Sequence, residues 1–309
     1  MSSGGGSGWS RDPDSFNSLN QQAEELSGRS AYVSAVNECL QEILKEFNDR
    51  DFSAIQQHLG ILKESIQKEI EGSVDLLFGG SIKKNTYVSG LSDIDTLVLL
   101  NDTSLEGKSP KEVLKYFKQR IKQRLPSTNI SAGDLAVTVK YSDKNEIQLL
   151  PAIKTASGFR IADPSTGQWS NVVRPDAFAG KLTSVNQALG GKLVPTIKLF
   201  KALVTNVLPS NMKVSGYHAE SMAIEAFKGY QGNRTPKDML TYFCSEASHL
   251  VNSPIKDRTG QSLHVDDYLG EANSPARKSL SSYLTRITNR INVNDQDQSV
   301  SGWKKLFDE

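Results

Sequence analysis

Two stretches of this chain combine residue types and spacing suited to phosphate chemistry. Phe78-Gly79-Gly80-Ser81 closes the short apolar run 74–78. A Gly-Gly-Ser turn can bring backbone N–H groups and a hydroxyl against a triphosphate, and Lys83 and Lys84 follow closely enough to add positive charge. A plain strand-to-helix turn is the bland alternative. Twelve residues after Ser81 comes Asp93-Ile94-Asp95. Carboxylates at i and i+2 on a strand share a face. Inside an apolar strand they are costly unless solvent, an Arg or a metal compensates them. Mg²⁺ takes oxygen donors and keeps waters and phosphate oxygens. Order and spacing together describe a phosphate cradle beside a metal held by Asp93 and Asp95, which is what phosphoryl or nucleotidyl transfer needs.

The elements that must position these residues follow from hydrophobic period. A flexible tail is expected over residues 1–20, rich in Ser, Gly, Asp and Asn. Helical spacing begins near Ser30 with Val33, Val36, Leu40, Ile43, Leu44 and Phe47, and a second helix carries Ile55, Leu59, Leu62, Ile66 and Ile70. Residues 74–78 and 93–100 read as strands. Ser109-Pro110 opens a helix to about Leu125. Residues 136–141 and 146–153 read as a hairpin about the turn Ser142–Asn145, and Asp163–Gly167 as a further turn. From Asp176 onward helices dominate: 193–208, 217–227, 236–250 and 274–291. The expected fold is α+β and two-lobed, with a mixed-sheet core over 21–175 that includes the N-terminal helices. A helical lobe over 176–309 closes the cleft.

Bulk properties limit the alternatives. With 309 residues and a formal charge of +1, the chain can bury a sizeable core and has no global bias towards nucleic acid or membrane. Its two cysteines, Cys39 and Cys244, lie far apart, which suits a reducing, cytoplasmic setting and excludes a disulfide scaffold. Four scattered histidines argue against a His-based zinc site. No apolar run approaches the length of a membrane span or export signal. Helix 111–124 carries Lys111, Lys115, Lys118, Arg120, Lys122 and Arg124, either a solvated face or a basic stripe for a nucleic-acid or protein partner. Tyr217 and Trp169 can stack on a base or pack in the interior, and Asp266 and Asp267 read as a turn or cap.

The ordered motifs resemble the polymerase-β-like nucleotidyltransferase superfamily. Later segments are similar to oligoadenylate synthetases and to the bacterial CD-NTases, which make oligonucleotide signals in antiphage defence. Leu149-Leu150-Pro151-Ala152 looks like the family's "carboxylate, two apolar residues, Pro-Ala" segment. Lys198 and Lys201 lie on a helix similar to one whose lysine contacts the triphosphate. Ser215-Gly216-Tyr217-His218-Ala219-Glu220 resembles the next helix start, and Ile255–Gly260 with Val265-Asp266-Asp267 the late loop. The resemblance implies Mg²⁺ or Mn²⁺, nucleoside triphosphate substrates and a cyclic or linear oligonucleotide product. It also implies a separate effector that senses the product, and a nucleic-acid or protein activator.

One departure stands out. The family's third carboxylate falls three residues before the Pro, and here that residue is Gln148. An amide brings a carbonyl oxygen but no charge and no useful base. Glu146 lies two residues earlier on the same strand face, about 6–7 Å along the strand. Three readings follow: Glu146 substitutes, turnover is slow, or the site is inactivated and the chain senses nucleotides or serves as a scaffold. A transferase that extends a nucleic-acid or protein acceptor is a further alternative.

Overall fold

The computed structural model describes residues 13–48, 52–78, 84–88, 94–143, 145–163, 166–209, 211–258 and 264–308. Helices α1 (Pro13–Asn48) and α2 (Phe52–Gln67) precede strands β1 (Asp75–Phe78) and β2 (Ile94–Leu99). Helix α3 (Pro110–Arg124) leads to β3 (Asn129–Ala132), β4 (Val137–Lys140), β5 (Glu146–Thr155) and β6 (Gly158–Ile161). Helices α4 (Pro175–Ala188), α5 (Leu193–Val207), α6 (Gly216–Ala226), α7 (Pro236–Leu250), α8 (Pro275–Gln296) and α9 (Val300–Lys305) complete the chain.

The sheet order is β1-β2-β5-β4-β3, with β6 added to the far half of β5. β2 and β5 run parallel and the other pairs antiparallel, so the sheet is mixed as expected. Ile94, Thr96 and Val98 are buried while Asp95 and Leu97 are half-buried, the period-2 alternation of a strand with one face on a core. That core joins Ile94, Val98, Ile147 and Leu149 to Ile55, Leu59, Leu62 and Ile66 of α2 and Val113, Phe117 and Ile121 of α3. α3 begins as Ser109 and Pro110 predict. Ser109 caps the N–H of Glu112, whose side chain returns to the Ser109 N–H. The exposed lysines of α3 lie on the far side from this apolar stripe.

The second core is helical. It gathers most of α5 with Met222, Leu240, Phe243, Leu284, Ile287 and Trp303. It also takes Tyr32, Val36, Leu40 and Ile43 of α1, so α1 packs with the helical lobe and not with the sheet. Tyr32 shows why. Its hydroxyl donates to Asp295 at 2.7 Å and accepts from the Trp303 indole at 2.9 Å, tying α1 to the C-terminal helices. The tail expected over residues 1–20 is corrected for 13–20, which belong to α1, and its residues 1–12 lie outside the described residues; Pro13 suits a first helical turn, where a missing N–H costs nothing. Its apolar period starts later because residues 25–31 are exposed. Among the described residues no helix is long and apolar enough to cross a membrane.

Candidate active site

The register of two parallel strands builds the floor of the site. Asp95 on β2 is the Cα partner of Gln148 on β5, and Gln148 is the partner of Thr138 on β4. These half-buried residues line the sheet face opposite the core formed by Ile94, Ile147 and Leu149. One step towards the start of β5, Glu146 pairs in register with Lys140, and their side chains meet at 2.6 Å. Glu146 therefore shares the face of Gln148 but is held by an ammonium group on β4.

Asp95 and Gln148 offer hard oxygen donors, the type Mg²⁺ prefers, one charged and one neutral. Among the described residues no three His, Cys, Asp or Glu side chains group as a metal site. Gly79, Gly80, Ser81, Lys83 and Asp93 lie outside the described residues. The donor chemistry fits a divalent ion at Asp95, with Gln148 as an uncharged neighbour.

Helix α6 delivers the counterpart from the helical lobe. Ser215 caps it, its hydroxyl accepting the His218 N–H at 3.1 Å. One turn later Glu220 is 1 % exposed. It accepts from Lys201 of α5 at 2.8 Å, from Lys84 and from the Thr86 hydroxyl. Lys201 also donates to the Thr86 carbonyl at 3.1 Å. Gly216 leaves room for this lysine, since a Cβ there would stand 3.3 Å from the Lys201 Nζ. The segment 84–88, between β1 and β2, is thus gripped by both α5 and α6. Burial alone would raise the Glu220 carboxyl, but the Lys201 and Lys84 ammonium groups overcome it and hold the group below its ordinary value. Burial lowers Lys201, opposed by Glu220 and, more weakly, by Asp95. The Asp95 carboxylate thus lies within electrostatic reach of Lys201.

The other lysines take different places. Lys84 lies over the rings of Phe178 and Tyr217, at 5.0 and 5.6 Å from their centroids. Lys198 donates to Asn48 at 2.5 Å and lines, with Lys84 and Asn186, a cavity of about 530 Å³ between α1, α4 and α5. Tyr217 packs edge-on against Phe178 and donates to Asp257 at 2.6 Å. Trp169 packs against the sheet core and donates to the Lys108 carbonyl at 3.0 Å. Asp266 lies in a turn, at the N-cap position of the short helical turn Asp267–Leu269, as expected, but its side chain does not cap: it is fully buried and accepts from Arg277 at 2.6 Å.

Sequence reasoning did not assign Glu220 or Thr86 a role, nor find the Asp266–Arg277 pair. A signal for Glu220 was present: a carboxylate inside Ala219-Glu220-Ser221-Met222-Ala223-Ile224 has apolar or small neighbours throughout. Its partners come from 19 and 134 positions away, and no local pattern names them.

These buried groups set an acid response. Burial pushes the His218 imidazole down to about 4, with Asp266 pulling upward and Arg277 downward. Between pH 6.5 and 4 the unfolded chain therefore binds a proton that the folded one refuses, so stability falls as pH falls. Glu220 acts in the same direction below its ordinary 4.5, where the unfolded carboxyl protonates first. We expect thermal stability to drop by about 2 kcal/mol from pH 7 to 5, and His218→Gln to flatten that slope. A midpoint independent of pH over this range in the unmodified chain would contradict it.

With the geometry in view, the comparisons decide the family. Residues 32–186 match the model of the Second Messenger Oligonucleotide or Dinucleotide Synthetase (SMODS) domain. The chain belongs to this family. The SMODS match covers the sheet, Asp95, Glu146 and Gln148, and it bears out the CD-NTase resemblance of the motifs. A cyclic AMP-AMP-AMP synthase of Acinetobacter sp. is 26% identical over 169 residues, 52% of this chain and 48% of the relative. The match thus spans about half the length of that curated relative. The Vibrio cholerae DncV cyclic AMP-GMP synthase, solved with nonhydrolyzable GTP, has a TM-score of 0.63 at 12% identity, over 96% of this chain and 89% of that one. CdnC of E. coli MS115-1, solved with ATP, has a TM-score of 0.61 at 13% identity, over 86% and 92%. At these identities the structures establish the shared two-lobed α+β fold.

Proposed function

We propose that this SMODS chain is a template-independent nucleotidyltransferase that joins nucleoside triphosphates into a cyclic or linear oligonucleotide signal. The observation that carries the reading is the register of Asp95 against Gln148, inside the family match and within electrostatic reach of the buried Lys201–Glu220 pair. Asp93 and Asp95 would hold Mg²⁺ or Mn²⁺, which when bound neutralises charge on the triphosphate. The Gly79–Gly80 backbone and Ser81 would cradle the β- and γ-phosphates. Lys198, which lines a cavity with Lys84, would supply a helical-lobe cation to the triphosphate. Lys201 would support the site through its pairing with Glu220 and its charge near Asp95. An acceptor hydroxyl then attacks the α-phosphorus: a new P–O bond forms, the bond from the α-phosphorus to the bridging oxygen breaks, pyrophosphate leaves with that electron pair, and the hydroxyl proton passes to solvent. The protein's part is positioning and charge, as elsewhere in phosphoryl transfer. The known nucleotide complexes of structural neighbours support triphosphate substrates. A cytoplasmic signal read by a separate effector, with a nucleic-acid or protein activator, completes the proposal.

One observation favours a second reading, nucleotide binding with little turnover. The third carboxylate position holds Gln148, and the nearest replacement, Glu146, is engaged by Lys140. Product analysis separates the two. The chain is incubated with Mg²⁺ or Mn²⁺ and all eight ribo- and deoxynucleoside triphosphates, and products are resolved by mass spectrometry. A discrete oligonucleotide with pyrophosphate is expected. If Glu146 serves as the third carboxylate, Glu146→Ala cuts the rate at least a hundredfold, about 2.7 kcal/mol. Bound nucleotide without product, and activity appearing in Gln148→Asp, would establish the second reading instead.

A further inference from the structure

Tyr268 is oriented the wrong way round for a packing residue. A tyrosine that serves the core buries its ring and leaves the hydroxyl at the surface. Here the residue is 54 % exposed while its hydroxyl end is tethered to a buried side chain. The His218 Nδ1 lies 2.8 Å from that hydroxyl, and the imidazole is fully buried. Its other nitrogen faces the Asp266 carboxylate at 3.5 Å. Asp266 accepts in turn from Arg277 at 2.6 Å and from the Ile255 N–H at 3.0 Å, while Arg277 also donates to the carbonyls of Gly270 and Val251. With the imidazole neutral and its proton turned to Asp266, Nδ1 is left to accept from Tyr268. A buried His, Asp and Arg, together with the Lys213 carbonyl 3.3 Å from the same hydroxyl, thus fix the position of one outward-facing ring.

What that ring faces is a cavity of about 1010 Å³. Glu146 and Lys140 form its sheet side, Ser215 lies on the helical side, and Leu208, Met212 and Leu269 supply apolar surface. The cavity therefore opens beside the strand that carries Gln148. Sheet order sets its role: β1, which ends at Phe78, is on one side of β2, and β5 with β4 is on the other. On the proposed function the phosphates are held by residues that follow β1 in the chain, which leaves the β5–β4 side for the attacking nucleotide.

We infer that the Tyr268 ring is a stacking platform for the base of the acceptor nucleotide, holding its hydroxyl over the Asp95–Gln148 row. This rests on the nucleotidyltransferase reading above. Stacking on an aromatic face suits every base, so Tyr268 governs occupancy more than base choice. The pinned hydroxyl lowers the cost of ordering the ring on binding, and burial raises that group to about 12, so it remains a donor at neutral pH.

The test measures steady-state KM and kcat for each nucleoside triphosphate, and equilibrium dialysis of ATP and GTP with Mg²⁺, on the full chain, Tyr268→Leu and Tyr268→Phe. Tyr268→Leu should raise KM or Kd about tenfold, within the range of base–aromatic stacking, with kcat and thermal midpoint nearly unchanged. Tyr268→Phe keeps the ring and should lose less than threefold. A change of threefold or less in Tyr268→Leu, with an active or nucleotide-binding parent chain, overturns the inference and leaves the function standing. A fall in kcat and melting midpoint with KM and Kd unchanged also overturns it, since that is a purely structural role. A parent chain that neither makes product nor retains nucleotide overturns the function, and the inference with it.

Discussion

Asp95→Asn should lower product formation at least a thousandfold, about 4 kcal/mol of transition-state stabilisation. The substitution preserves shape and removes one charge from a half-buried position on the sheet floor. Its row partner, Gln148, carries no charge, so no neighbouring carboxylate on β5 at that level can compensate. Lys201 would then face the floor without its second anion, leaving a site less able to attract a divalent ion. The surroundings of Asp95 predict that the fold tolerates the change, because the buried face of β2 is carried by Ile94, Thr96 and Val98. Pyrophosphate release, measured with the unfolding midpoint, decides the matter. Activity within tenfold of the parent chain would remove Asp95 from the catalytic machinery.

Glu220→Gln should cost about 3–5 kcal/mol of stability, the usual consequence of leaving a buried charge without its partner. Two ammonium groups converge on this carboxylate, and the side chains of Lys201 and Lys84 are only 9% and 11% exposed. Neither can regain full hydration without moving α5 or the segment 84–88. The loss is expected to loosen the grip of the helical lobe on that segment, which follows Gly79–Ser81 closely in sequence. Urea unfolding measures the cost, and a difference below 1 kcal/mol would show the cluster to be dispensable. The charge argument has a second arm. Glu220→Leu with Lys201→Met should recover part of the loss, since a well-packed apolar pair can replace a buried ionic one. Lys84 remains and limits that recovery.

Much of the scaffold was legible because it rests on short-range regularities. The apolar stripes at Ile55–Ile66 and Val113–Ile121, the cap at Ser109 and the hairpin around 142–145 each follow from spacing or turn chemistry within a few residues. β3 and β6 were not legible, being four residues each and lacking a long apolar alternation. α1 illustrates a different limit. Its period correctly announced a helix, but nothing in the period says which core the stripe joins.

The candidate site divides in the same way. The sequence by itself determined the chemistry on offer: the Asp93–Asp95 pair, the Gly-Gly-Ser turn, an amide at Gln148 and the order that marks the family. Only the tertiary structure decided which of these groups meet. It set Asp95 level with Gln148, engaged Glu146 with Lys140, bound Lys201 to Glu220 and turned the Tyr268 ring outward. The reason is range. Secondary structure and motif spacing are written in contacts a few residues apart. Register between β2 and β5, and ion pairs joining residues up to 136 positions apart, arise only when separate elements compete to bury their faces and satisfy their charges.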